Sequence, residues 1–180
     1  AKPATAVHWL KKAPEQVAVV NGLSKCFALT GWRIGYVLAD PKIIANLSKI
    51  QGQSTSNICS IAQKAALTAL SGSWDFLNEQ RQIFAARRDK ALATMAQWPD
   101  VQCPKPEGAF YLFPRVDSYF TPEVPDSTQL CAYLLEKAEV ALVPGKAFGD
   151  DRCIRLSYAT DETTLMTGLE RIGQALQTLR

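Results

Sequence analysis

Lys25 lies in the run Asn21-Gly22-Leu23-Ser24-Lys25-Cys26-Phe27-Ala28-Leu29-Thr30-Gly31-Trp32-Arg33-Ile34-Gly35-Tyr36, between two apolar segments and eight residues before Arg33. A lysine in a loop is usually a solvated surface charge. Here flanking apolar residues and a nearby guanidinium both disfavour the ammonium form, by desolvation and like-charge repulsion, and a neutral amine can attack a carbonyl carbon. The chemistry this points to is a Schiff base. Ser24 and Thr30 add hydroxyls, Arg33 adds a planar fork suited to a phosphate dianion, and Gly22, Gly31 and Gly35 let backbone approach a ligand. An amine beside an anion cradle suits a phosphorylated aldehyde. A nucleoside triphosphate loop is excluded, because G-x-x-x-x-G-K-[ST] needs glycine before the lysine and a hydroxyl after it, whereas Lys25 stands between Ser24 and Cys26.

Arg155 is the second candidate. On a strand it faces away from its neighbours Ile154 and Leu156, and a bidentate fork there could clamp a carboxylate. Its other reading is a structural ion pair. The remaining chemistry-bearing residues read as structural. His8 lacks a partner pattern for a general base. Cys26, beside Lys25, is a reactive thiol in an electropositive site or a small packing residue. Phe110 and Tyr111 read as core or cleft wall, and Arg87 and Arg88 as a solvated or interdomain face.

These residues need elements to position them. Val17 to Val20 reads as a strand ending in the turn signal Asn21-Gly22, and Trp32 to Leu38 as a second strand after the loop. Asp40-Pro41 is a helix start ahead of Ile43, Ile44, Leu47 and Ile50 at helical spacing. Another helix is expected from Ser56 or Asn57, with Ile58, Ile61, Ala62, Ala65 and Ala69 on one face, ending at Gly72. Leu77, Phe84, Ala91 and Met95 predict one long amphipathic helix over Trp74 to Gln97. Pro99, Pro104 and Pro106 then mark a boundary between domains. Beyond it the pattern predicts a strand (Ala109 to Phe113), a helix (Ser127 to Ala138), strands (Val140 to Val143, Cys153 to Tyr158) and a helix (Glu162 to Leu179). Mixed strands and short connections imply an α/β or α+β layer structure.

Composition narrows the function classes. The 180 residues are 47% hydrophobic and 21% charged, as in a folded globular chain. The net charge is only +3 and the basic residues are scattered, so no nucleic-acid partner is expected. No stretch approaches the roughly 20 apolar residues that span a bilayer, and no secretory leader is evident. Five widely spaced cysteines and one histidine suggest neither a disulfide framework nor a metal site. A reduced, cytoplasmic setting is expected.

The fourteen residues Gly22 to Gly35 fit G-L-S-K-x-x-A-L-x-G-x-R-I-G throughout. This pattern resembles the lysine signature of the class I and II aminotransferases, fold-type I enzymes that use pyridoxal 5'-phosphate. Three further segments are similar to that family in order and spacing: Ser54 to Gln63, Gly108 to Phe113, and Val143 to Gly149 followed by Cys153 to Ala159. The resemblance implies that Lys25 carries the cofactor as a Schiff base, that Ser24 and Arg33 bind its phosphate, and that Arg155 holds the substrate α-carboxylate. It implies amino-acid and 2-oxo-acid substrates and a homodimer. The T-S-N-x-x-S-x-x-Q segment, Thr55 to Gln63, resembles the aspartate-using branch.

In that family the lysine lies past the middle of the protein. The groups that complete the site precede it, including an Asp for the pyridine nitrogen and a Tyr for the phenolic oxygen. Only 24 residues precede Lys25 here, with neither Asp nor Tyr among them. The resemblance therefore implies a C-terminal portion: the end of the fold-type I large domain (1–73), a connecting helix (74–97) and the α/β small domain (98–180). Taken alone, such a portion is expected to lack transaminase activity. The signature leaves open a C–S lyase or synthase of the same fold, and a non-catalytic cofactor-binding or dimerisation module.

Overall fold

The computed structural model describes residues 5–180, which pack as two compact units divided between Leu77 and Asn78. In the first, a short helix α1 (Val7–Lys12) precedes a hairpin of β1 (Val19–Gly22) and β2 (Gly35–Leu38), followed by α2 (Pro41–Ser54) and α3 (Ser60–Ser71). Helix α4 (Asp75–Met95) starts here and runs on into the second unit.

The hairpin is antiparallel, with Val19 opposite Leu38 and Gly22 opposite Gly35. Asn21 and Gly22 were expected to turn the chain but are paired strand residues. The cross-strand partners Asn21 and Tyr36 are bonded through Asn21 Nδ2 and the phenol oxygen at 3.2 Å. The second strand starts later than expected, because Thr30–Trp32 forms a 3-10 turn that Arg33 closes in the left-handed region at φ 51°. Asp40 caps α2 as its sequence predicts, accepting a bond from the Lys42 N–H at 2.8 Å, with Pro41 in the first helical position. Helix α3 begins three to four residues beyond the expected start. Ser56 is left-handed at φ 62°, and Asn57 spends its side-chain oxygen on the adjacent Ile58 N–H.

Leu23, Ile34, Ala62 and Ala66 form this unit's buried core, with Phe27, Leu29, Tyr36, Ile58 and Ala69 packed around it. Two of the four are alanines. Fully burying one Leu or Ile contributes about 1.5–3 kcal/mol, so this core stabilises little. Ile61, expected on the buried face of α3, is 68% exposed, and Val20 is 75% exposed.

The second unit is better filled. A three-stranded antiparallel sheet has the order β3 (Tyr111–Leu112), β5 (Ile154–Ser157), β4 (Val143–Pro144). Helices α5 (Ser127–Ala138) and α6 (Glu162–Gln177) complete it, with further 3-10 turns at Asp117–Tyr119 and Gly145–Phe148. Leu112, Leu130, Leu134, Ile154, Leu169, Ile172 and Leu176 are buried essentially completely. The expected strand at 140–143 shrinks to Val143–Pro144. Glu139 ends α5 in the left-handed region, and Val140 and Leu142 pack on the core. Both units mix helices with antiparallel strands, within the α/β or α+β expectation.

Candidate functional site

The lysine lies in the twelve-residue connection between β1 and β2. Leu23 and Ile34, at its two ends, are buried against Ala62 and Ala66 of α3, and the Leu23 N–H donates to the Ile34 carbonyl at 3.4 Å. Between these anchors the chain makes one helical turn, with the Phe27 N–H on the Leu23 carbonyl, and Lys25 projects from it. Phe27 packs edge-on against Trp74, ring centroids 5.5 Å apart. Thr30 Oγ1 donates to the Ser24 carbonyl at 2.8 Å, which ties the turn to the 3-10 segment. Arg33 donates from Nη1 to the Thr30 carbonyl at 3.1 Å. The loop thus brings together three of the four expected site residues, Ser24, Lys25 and Arg33. Ser24 is half-buried, while Lys25 and Arg33 are exposed. The desolvation of Lys25 expected from its apolar neighbours is therefore not supplied by this unit: those neighbours, Leu23 and Phe27, face α3.

Gly35 and Gly31 serve different ends. A Cβ on Gly35 would lie 2.8 Å from the Asn21 carbonyl oxygen, so the close approach that this glycine permits is strand to strand. At Gly31 a Cβ would meet nothing within 4 Å. Backbone positions 28 and 33 are left-handed without glycine, at φ 53° and 51°. A non-glycine residue in that region costs roughly 1–2 kcal/mol, and here the cost falls on a candidate anion-binding arginine. An amine, a half-buried serine, a guanidinium and open space over Gly31 fit the aldehyde and phosphate ends of a phosphorylated aldehyde.

Arg155 belongs to the second unit. It alternates with buried Ile154 and Leu156 on β5, as expected, and is half-buried. Its guanidinium carbon lies 4.5 Å from the ring centroid of Tyr111 and 4.5 Å from that of Phe148. Arg115 and Arg152 are engaged otherwise: each grips a carboxylate with two bonds of 2.8 Å, on Asp117 and Asp150. These pairs hold both carboxyls below the usual range, the side-chain bond from each arginine being the largest cause. Arg155 makes no ion pair among the described residues of its unit.

His8 is exposed and meets Trp9 edge-on at 5.5 Å. Cys26 Sγ lies 3.7 Å from the Gly22 carbonyl. All five cysteines are free. Phe110 packs on the core and lies tilted against Tyr111, centroids 4.4 Å apart. Arg87 lies over Phe84 at 5.6 Å, and Arg88 pairs with Asp89 and donates to the Pro106 carbonyl. Sequence reasoning missed the contact of Phe148 with Arg155, because cross-strand neighbours become visible only once register is known. It also missed Ser127, which is fully buried, donates to Asp151 at 2.5 Å and accepts from the Lys146 N–H at 3.3 Å. Among the described residues no group of three or more His, Cys, Asp or Glu could hold a metal, and no helix is long and apolar enough to cross a membrane.

A family model described as aminotransferase class I and II matches residues 1–172. The chain is 45% identical over 175 residues to a bifunctional aspartate aminotransferase and glutamate/aspartate-prephenate aminotransferase of Petunia hybrida, covering 92% of this chain and 36% of that protein. Its structure matches an aspartate aminotransferase from Rhizobium meliloti with a TM-score of 0.85 at 42% identity, over 91% of this chain and 42% of the other. It also matches an aromatic aminotransferase from Pyrococcus horikoshii with a TM-score of 0.83 at 34% identity, over 92% and 44%. The chain thus spans less than half the length of each of these proteins.

Proposed function

The chain belongs to the class I and II aminotransferase family, and from that premise we propose that it is the C-terminal portion of a pyridoxal-phosphate-dependent aminotransferase. The complete protein moves an amino group between an amino acid and a 2-oxo acid, with an aspartate-like or aromatic donor favoured. One observation carries this reading: a single anchored loop carries Lys25, Ser24 and Arg33. The partial length and the thin core of the first unit support the reading as a portion, in which 1–73 ends the cofactor-binding large domain, 74–97 connects and 98–180 forms the small domain. The names of the matched proteins support the donor preference and favour transamination over lyase, synthase or purely binding roles.

Pyridoxal phosphate, when bound, supplies an electron sink for charge developing at the substrate Cα. Lys25 would hold its aldehyde carbon, and Ser24 and Arg33 its phosphate. The Lys25 amine would take the Cα proton as general base. Arg155 receives the α-carboxylate through a bidentate fork and so fixes the direction of the Cα–H bond. The groups that bind the pyridine nitrogen and phenolic oxygen come from the part of the protein before this chain, and the complete enzyme is a homodimer.

The test is Lys25→Ala in the full-length protein. It abolishes the visible absorbance of the lysine-bound cofactor and the amino transfer to 2-oxoglutarate; an unchanged spectrum overturns the assignment. Product analysis over a panel of amino acids distinguishes transamination, which yields the 2-oxo acid, from lyase or synthase chemistry and from no turnover.

A further inference from the structure

Arg155 is held by more than its own strand. On β5 it shares a face with Ser157, and Ser157 is opposite Tyr111 of β3, which makes Tyr111 its diagonal neighbour. On the other edge Arg155 is opposite Val143 of β4, and the 3-10 turn that follows β4 ends at Phe148. One ring thus comes from β3 and the other from the turn after β4, each with its centroid 4.5 Å from the guanidinium carbon. Each ring is itself braced. Phe113 meets Phe148 edge-on at 6.1 Å, and Phe110 lies tilted at 49° against Tyr111, centroids 4.4 Å apart.

The turn that carries Phe148 is also fixed at its start. The Gly145 N–H donates to the Cys153 carbonyl at 2.8 Å, and the Lys146 N–H donates to Ser127 Oγ at 3.3 Å. Ser127 Oγ is in turn held by Asp151 at 2.5 Å.

We infer that Tyr111 and Phe148 are positioning residues, which fix the plane of the Arg155 guanidinium so that its N–H edge stands ready for a carboxylate. This rests on the proposed role of Arg155 as the α-carboxylate site. Guanidinium faces are weakly hydrated and stack well on aromatic rings, whereas the N–H donors lie in the plane. Rings packed on the guanidinium therefore leave the donor edge available while they restrict the rotamers of a long side chain. The entropy that carboxylate binding would otherwise cost is lost on folding instead.

The experiment measures KM and kcat for the amino acid, and inhibition by succinate as a bare carboxylate probe, in the full-length protein. Phe148→Leu and Tyr111→Leu each raise KM and the succinate inhibition constant about tenfold, equal to about 1.4 kcal/mol, while kcat stays within about twofold. Phe148→Tyr and Tyr111→Phe, which keep a ring, stay near the parent values. A purely structural role would instead lower the melting temperature and kcat, leave succinate binding per folded molecule unchanged, and overturn the inference. Arg155→Ala separates the two layers. If it weakens succinate binding and the leucine variants do not, the positioning role falls alone. If it leaves succinate binding unchanged, the carboxylate site and the positioning role fall together.

Discussion

Two glycines four residues apart in the turn before β5 serve different physical needs, and alanine substitution tells them apart. A Cβ on Gly145 would lie 2.1 Å from the Cys153 carbonyl oxygen and 2.3 Å from that of Asp150, where ordinary contact begins at 3.4 Å. Both obstacles are backbone, so no side chain can swing away and the carbonyls must retreat by about 1 Å. That movement breaks the bonds from Gly145 N–H to Cys153, from Asp150 N–H to Gly145, and from Lys146 N–H to Ser127. At about 1 kcal/mol net each, the loss is about 3 kcal/mol. Gly149 is left-handed at φ 87° and has open space where a Cβ would stand, so alanine there costs only the conformational penalty of roughly 1–2 kcal/mol. Urea unfolding can be followed by the fluorescence of Trp98, which is buried in the second unit, with Trp9, Trp32 and Trp74 replaced by Phe. The expected order is Gly145→Ala well below Gly149→Ala. Equal losses, or a Gly145→Ala loss under about 1 kcal/mol, would refute the steric reasoning.

Acid titration offers a second check. Arg88 and Lys105 both bond to Asp89 and hold its carboxyl at about 2, against an ordinary 3.8. Because the folded value is depressed, the stabilisation is complete above pH 3.8 and is lost as pH falls through about 2. Carbon NMR of the carboxylates should show a midpoint near 2 for Asp89, and a midpoint near the ordinary value would contradict the ion-pair geometry. Thiol labelling is a third. Burial pushes Cys131 up to about 11, whereas the backbone N–H groups of Ala62 and Ile61, at the start of α3, pull Cys59 below the ordinary thiol. Iodoacetamide at mildly alkaline pH should label Cys59 and spare Cys131 until the chain unfolds; equal rates in the native chain would exclude that order.

The helices with strong local signals were legible. Asp40-Pro41 starts α2 through the cap its residues advertise, and α5 has the expected bounds Ser127–Ala138. The apolar stripe on α6 is buried from Leu165 to Leu176. Strand edges were less legible, since a run such as Val17 to Val20 shows that a strand is near but not which residues pair. Register decided that instead, and it moved Asn21 and Gly22 into β1. The left-handed Ala28, Arg33 and Ser56 carry side chains that do not announce a positive φ. Spacing gave Lys25 and Arg33 their common loop. It could not give Phe148 and Tyr111 as companions of Arg155, because that triad exists only after three strands have paired.

The close approach at Gly35 turns the eight-residue interval between Lys25 and Arg33 into a mechanical dimension. Without a Cβ, Gly35 lets the Asn21 carbonyl lie against it and pins Gly22 opposite, which seats both stems of the connection on α3 at Leu23 and Ile34. Sliding one stem by a single residue would invert the faces of the hairpin and pull both apolar anchors off the helix together. Length changes within the stems are thus far more damaging than substitutions in the connecting segment.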